Sequence, residues 1–244
     1  MNWTGKTYWL VGASEGLGRE VAKKIAAAGA KVVVSARSED RLKSLVEEIG
    51  ENASYVTVDV TDSAAVDAAA KQIGHIDGVV YLAGVYWPMK ASEWDNEKAN
   101  LMAEINYLGG SRVVGSVIGP MVDRDAGHIV LTGSLSGFRG LPGAIGYSAS
   151  KAGLMALAES MQADLRKTGV RVQVINPGFI KTRLTEKNDF EMPFIMEPED
   201  AAQVFFDHMD SGGFKRSFPT VFSWVFRLSQ FMPDWMYYRL FGAK

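Results

Sequence analysis

Tyr147 and Lys151 stand one helical turn apart, and Ser134 lies thirteen residues upstream. A phenol can give or take a proton, a cation can make that phenol more acidic, and a hydroxyl can hold a carbonyl oxygen. A phenol alone is a poor acid near neutrality, with an ordinary pKa of about 10. A lysine at i+4 on the same helix face answers that specific need. Taken alone, Tyr-x-x-x-Lys also describes two solvated side chains.

The pair gains meaning from how the chain opens. A strand-like run, Lys6 to Val11, leads into Gly12-Ala13-Ser14-Glu15-Gly16-Leu17-Gly18 and then into the helical stretch Arg19 to Ala28. Glycines at such a turn tolerate positive φ and let backbone approach a pyrophosphate, while a helix N-terminus offers unpaired N–H groups and a positive dipole end. The spacing G-x-x-x-G-x-G differs from G-x-G-x-x-G, and by itself it also occurs in ordinary loops. Between a strand and a helix it reads as a dinucleotide site.

The ordered series resembles the short-chain dehydrogenase/reductase family from about Thr4 to about Thr182. It comprises Gly12 to Gly18, Asp59-Val60, Ala83-Gly84, Asn106, Ser134, Tyr147 with Lys151, and Asn176-Pro177-Gly178 with Thr182. The resemblance implies hydride transfer between a nicotinamide and a carbonyl or carbinol carbon. Tyr147 would be the acid/base, and Lys151 would lower its pKa and bond the nicotinamide ribose. Ser134 would orient the substrate oxygen, with Ser136 a nearby competitor for that role, and Asn106 would disturb its helix and hold a water leading from Lys151 to solvent. It further implies a cofactor cradle of Gly12, Ser14, Glu15, Gly16, Leu17 and Gly18, then Asp59, Val60, Ala83 and Gly84. Pro177, Gly178, Ile180 and Thr182 would meet the carboxamide of the nicotinamide. Asp59 would accept from the adenine amino group, although an aspartate before Thr61-Asp62 also suits a helix cap. Where the family commonly has Asn-Asn-Ala-Gly, this chain has Tyr81-Leu82-Ala83-Gly84, which puts the support of that strand end in question.

At the end of the second strand, Ser35-Ala36-Arg37 carries no carboxylate to bond a ribose 2′-hydroxyl. Arg37 could pair with a 2′-phosphate, with Ser14 and Ser38 adding hydrogen bonds, so NADP(H) is preferred and NAD(H) remains open. Glu15 stands against that preference, because some NADP-using relatives carry a basic residue there. Arg37 also reads as a solvated charge at the start of a helix.

The 244 residues, 47% of them hydrophobic and 22% charged with a net charge of −2, suit one α/β domain spanning 1–244. The slightly acidic balance and the lack of a basic stripe exclude a nucleic-acid footprint. Zero Cys removes disulfides, thiolate metal sites and a cysteine nucleophile, and fits a reducing cytosol. The N-terminus shows no leader pattern, and a cytoplasmic location is expected. His75, His128 and His208 lack metal spacing and read as surface or loop histidines.

Strand and helix patterns alternate with short connections, which predicts a Rossmann-like, doubly wound parallel sheet of about seven strands. Strands are expected near Lys6–Val11, Lys31–Ser35, Tyr55–Val58, Gly78–Leu82, His128–Leu131, Arg171–Ile175 and Phe218–Phe222. Helices are expected at Arg19–Ala28, Arg41–Ile49, Ala64–Ile73, Ala99–Arg124, Ala149–Lys167 and Pro198–Met209. Every motif then falls at the carboxyl end of a strand or in the helix that follows.

Residues 183–197 hold Leu184, Phe190, Met192, Phe194, Ile195 and Met196, which suits a lid over a hydrophobic substrate or a surface loop packed on itself. Val85-Tyr86-Trp87-Pro88, Phe138, Leu141 and Ile145 would line the same mouth. The aromatic-rich extension 217–244 is interrupted by Pro219 and Pro233 and is too broken to span a membrane. It could pack over the mouth, form a subunit contact, or lie on a membrane surface. A homodimer through the Ala99–Arg124 and Ala149–Lys167 helices is expected, whereas the altered tail leaves a tetramer in doubt.

The leading reading is an NADPH-preferring reductase of a hydrophobic carbonyl or alcohol. A 3-oxoacyl thioester or lipid-ketone reductase is the alternative, for which Arg139 and Arg183 offer little basic surface to meet an acidic carrier. A non-catalytic dinucleotide sensor is the reading from another class.

Overall fold

Val-rich runs that are apolar at every position suit strands covered on both faces, and that is what the computed structural model, which describes residues 1–188 and 190–242, contains. Among the described residues seven parallel strands form one sheet in the order β3-β2-β1-β4-β5-β6-β7. They are β1 Thr7–Val11, β2 Lys31–Ser35, β3 Ala53–Tyr55, β4 Gly78–Tyr81, β5 Gly127–Thr132, β6 Val170–Pro177 and β7 Lys215–Phe218. The helices are α1 Gly16–Ala27, α2 Glu39–Ile49, α3 Ser63–Ile73, α4 Asn96–Ala103, α5 Gly109–Asp123, α6 Ile145–Leu165, α7 Pro198–Asp210, α8 Thr220–Ser229 and α9 Asp234–Phe241.

Alternate strand residues feed two cores. Trp9, Val33, Val79, Tyr81, Ile129 and Val172 meet α3, α5 and α6 on one face. Leu10, Val34, Val80, Val130 and Ile175 meet α1, α2 and α7 on the other. The strand order reverses between β1 and β4, and the crevice beyond their carboxyl ends is where such sheets take ligands.

Four boundaries depart from expectation, each for a local reason. β3 occupies Ala53–Tyr55 rather than Tyr55–Val58, because β2 ends at Ser35. Val56 and Val58 still donate to Val34 and Ala36 but form no ladder. β7 occupies Lys215–Phe218 rather than Phe218–Phe222, since Pro219 has no N–H to continue the ladder and the aromatic run turns helical as α8. The single helix expected over Ala99–Arg124 is α4, a π-helical turn at Glu104–Leu108, and α5. α6 begins at Ile145, so Tyr147 sits in its first turn.

Two of the three histidines also differ from expectation. His75 is exposed, but His128 and His208 are buried, held in a polar network at the amino ends of the strands. Asp189 of the expected lid and Ala243–Lys244 of the extension lie outside the described residues.

Candidate active site

β5 delivers the first functional residues. Its last residue, Thr132, offers a backbone carbonyl that accepts from Lys151 Nζ at 2.8 Å. Two residues on, Ser134 starts a short 3₁₀ turn, Leu135–Gly137, and its Oγ accepts from the N–H and hydroxyl of Ser136 at 3.2 and 2.9 Å. Ser136 thus bonds Ser134 and, like it, lines the same cavity.

α6 carries Tyr147 and Lys151 on one face, and Lys151 Nζ lies 5.8 Å from the centre of the Tyr147 ring. Burial pushes the Lys151 ammonium down to about 8. Burial pushes the Tyr147 phenol up to about 12; the Ser134 hydroxyl opposes that rise, and Tyr86 adds to it. The Tyr86 ring meets the Tyr147 ring edge to face, 5.1 Å between centroids. Desolvation thus raises the phenol and lowers the lysine in the protein by itself, and at about 8 Lys151 still carries its charge at neutral pH.

Asn106 is fully buried in the π-helical turn, as an anomalous helix position. Its side chain is committed: Nδ2 donates to the Val85 carbonyl at 2.9 Å and to Ser150 Oγ at 3.0 Å, while Oδ1 accepts from the Val85 N–H at 2.7 Å. The amide thereby clamps the loop after β4 and, through Ser150, whose hydroxyl donates to the Tyr147 carbonyl at 2.9 Å, the first turn of α6.

Tyr81, which read as a lost amide, supplies the support that seemed missing. Its fully buried hydroxyl donates to the Ile105 carbonyl inside the π-helical turn. Any Cβ on Gly109 would collide with that hydroxyl, and one on Gly110 would press the Tyr81 ring, so the paired glycines of α5 are the sequence trace of this contact.

The glycine loop fits a dinucleotide. Gly12 has φ +91°, and any Cβ there would overlap the Ala83 backbone. A Cβ on Gly18 would strike the Gly12 carbonyl, so loop and helix stay close enough for α1 to present its first N–H groups. Ser14 is buried, and Leu17 packs against the α1/α7 core. Gly16 abuts the Thr182 methyl, which brings the turn after β6 to the loop. In that turn Ile180 is buried, and Gly178, just beyond Pro177, donates to the Phe218 carbonyl at 2.7 Å. A Cβ added to Gly84 would lie 3.5 Å from Asn106 Oδ1 and 3.6 Å from Lys151 Nζ. The cradle and the reactive groups therefore adjoin.

Arg37 is exposed beyond β2. Burial pushes the Asp59 carboxyl up, yet bonds from Thr61 N and Oγ1 and the charge of Arg37 outweigh it and hold Asp59 below the usual carboxylate range. The cap of α3 is Asp62, which accepts from Ala65 N at 3.1 Å, so capping is not the role of Asp59. Val60, next to it, is buried against Gly109. Glu15 pairs with Arg41 at 3.1 Å and with Arg183. That contact joins the glycine loop to α2 and to the 183–197 segment, and only the fold brings the three together.

A cavity of about 150 Å³ opens between Ser134 and Tyr147 at one end and Leu141, Phe179, Phe190, Phe222 and Phe226 along its walls. Leu184, Thr185, Asn188 and Phe190 are the contribution of the 183–197 segment, whereas Phe194 and Ile195 stay exposed. Lys187 fastens that segment to the loop after β4, donating to the Tyr86 carbonyl at 2.8 Å and lying over Trp87. α8 closes the far wall with Phe222 and Phe226, so the extension packs over the mouth with one of its faces.

The family model described as short chain dehydrogenase matches residues 6–192. An uncharacterized oxidoreductase of Myxococcus xanthus is 37% identical over 236 residues, which cover 94% of this chain and 93% of the relative. The 3-oxoacyl-(acyl-carrier-protein) reductase FabG of Escherichia coli is 33% identical over 189 residues, 76% of this chain and 78% of the relative. A solved short chain dehydrogenase/reductase family protein superimposes with a TM-score of 0.81 at 28% identity, covering 89% of this chain and 97% of the other.

Proposed function

This chain belongs to the short-chain dehydrogenase family and is an NAD(P)-dependent oxidoreductase; from that premise we propose that it reduces a bulky, hydrophobic carbonyl compound with NADPH, or runs the reverse oxidation. The observation that carries this reading is the cavity, walled mainly by Leu141, Phe179, Leu184, Phe190, Phe222 and Phe226, with Ser134 and Tyr147 at one end and Ser136, Thr185 and Asn188 as further polar side chains. An apolar body can fill such a space while one oxygen reaches the two hydroxyls.

In this reading Ser134, held by Ser136, donates to the substrate oxygen and stabilises the charge that develops there. Tyr147 transfers the proton to that oxygen or takes it away. The bound nicotinamide supplies the hydride. Lys151, Asn106 and the Gly12–Gly18 loop hold the reacting parts in place, and the buried Lys151, still mostly an ammonium at neutral pH with a pKa of about 8, favours the phenolate. Arg37 selects the 2′-phosphate, and Glu15, already neutralised by Arg41 and Arg183, no longer argues against it.

The relationship to FabG favours a 3-oxoacyl thioester as a second reading. Against it, Arg139 and Arg183, the two basic residues singled out in the sequence for an acidic carrier, are engaged within the chain. Arg139 bonds the Met232 carbonyl at 2.8 Å and Asp234 at 2.6 Å, and Arg183 pairs with Glu15.

The test is reduction of a carbonyl panel running from small aldehydes through steroids and long-chain ketones to oxoacyl thioesters, with NADPH and NADH in parallel. Fastest turnover on large apolar ketones with NADPH, lost in Tyr147→Phe, is the expected result. An oxoacyl thioester at the head of the panel would select the second reading. A silent panel with intact dinucleotide binding would point to the sensor.

A further inference from the structure

α8 and α9 each bury one face and leave the other bare. Phe222, Phe226, Ser223 and Tyr237 turn inward, where Tyr237 donates to the Gly140 carbonyl at 2.6 Å and lies under the Arg139 guanidinium. Trp224, Leu228, Phe231, Trp235 and Tyr238 turn outward, with Phe231 84% and Trp235 70% exposed. Exposure of that many large rings is costly in water and marks a contact surface. The bare surface also runs on into the pocket wall. The exposed Phe194 ring lies 5.5 Å from Phe222, whose other neighbours are Phe226 at 5.0 Å and the pocket residue Phe179 at 5.9 Å.

Charge selects the occupant. The chain as a whole is acidic at −2, yet the only carboxylate of α8 and α9, Asp234, is spent on Arg139. Arg227, stacked 4.4 Å over Trp224, and Arg239 pair with no carboxylate among the described residues. The outer face therefore presents tryptophan, tyrosine and two unpaired guanidiniums, a chemistry suited to the headgroup level of a bilayer bearing negative charge. A second copy seated on the same face would bring the same cations and no unpaired carboxylate from these helices to receive them. At about 15 and 12 Å the two helices lie flat rather than cross, and no helix among the described residues is long and apolar enough to span.

We infer that the outer face of α8 and α9 docks on an anionic lipid bilayer, with the mouth of the apolar pocket beside the contact. The docking does not depend on the hydride-transfer reading, though it would let a membrane-dissolved carbonyl reach Tyr147 without crossing water.

Sedimentation with vesicles tests it, with no cofactor or carbonyl present, so that its failure and failure of the proposed chemistry are read separately. The full chain should partition at least tenfold more onto phosphatidylcholine vesicles containing phosphatidylglycerol than onto phosphatidylcholine alone. Arg227→Gln with Arg239→Gln should lose that preference, and Phe231→Glu with Trp235→Glu should bind neither vesicle. The glutamate substitutions fall on exposed rings, so thermal midpoint and turnover on a small water-soluble ketone should match the parent. Full-length protein left in the supernatant of both vesicles would overturn the inference, as would binding retained by the glutamate variant or equal partition onto both vesicles. Light scattering that shows a lipid-free dimer, split by the glutamate variant, would assign the face to a second copy and overturn it as well.

Discussion

The same sheet holds a buried tyrosine–nitrogen cluster at each end. At the amino end, Tyr8 bonds His128 Nδ1 at 2.9 Å and His128 Nε2 meets Gln173 Oε1 at 2.8 Å. Gln173 Nε2 in turn donates to the carbonyls of His208 and Gly213. Burial raises the Tyr8 phenol far above its usual range and pushes the His128 imidazole down to about 3, so both are fixed neutral. At the carboxyl end, Tyr147 borders a cavity, and Lys151 donates to the Thr132 carbonyl. The same residue types plug one end and stand ready to react at the other. What separates them is their surroundings: at the amino end Tyr8, His128 and Gln173 bond one another in the packed interior, whereas at the carboxyl end the Ser134 and Tyr147 hydroxyls border a cavity that a ligand can enter.

Substitutions should pull the two ends apart. Tyr147→Phe should lower turnover by about 10²–10⁴-fold with an unchanged thermal midpoint, the span expected for a positioned proton donor. Retained activity would remove Tyr147 from the chemistry. Gln173→Leu should do the opposite. It strands several buried donors and acceptors and should cost about 3 kcal/mol in urea unfolding, while turnover at 25 °C stays within twofold. Equal damage to turnover would show that the two ends are coupled.

Lys151 sharpens the contrast through pH. Its folded-state pKa near 8 lies below the ordinary 10.5, so between those values the unfolded chain holds a proton that the folded chain lacks. Stability of the cofactor-free protein should therefore rise with pH across that window, by up to about 1.4 kcal/mol per unit, relative to Lys151→Met. Identical pH profiles for the two proteins would refute the buried, deprotonation-prone lysine. The smallest effect belongs to Tyr81→Phe, which removes one hydroxyl from the Ile105 carbonyl. It should cost about 1–2 kcal/mol and slow turnover several-fold through Asn106.

The glycine loop, Ser134, Tyr147 and Lys151 could be recognised in sequence because each is a local motif at the end of a strand, and burial on both faces makes those strands continuous apolar runs. The amino-end plug could not. Tyr8, His128 and Gln173 are distant in the chain, and the polar residues in these apolar runs have no period to betray them. Gly78 is its one trace, for a Cβ there would overlap the Tyr8 ring. In the sequence the π-helical turn is legible only as a disturbance at Asn106, since its lock, the Tyr81 hydroxyl over Gly109, comes from another element. The last strand ends earlier than its residues suggest, because Phe218 to Phe222 is rich in β-forming residues and only Pro219 tells where the ladder must stop.

Glu15 joins three stretches that the chain keeps far apart, and both of its ion-pair partners, like Glu15 itself, are open to solvent. Mobile ions compete with such contacts over a Debye length of about 10 Å at 0.1 M, whereas Lys151 and Asn106 are out of their reach. The grip between the glycine loop and the 183–197 segment is consequently set by the salinity of the surroundings, and the geometry of the reacting groups is not.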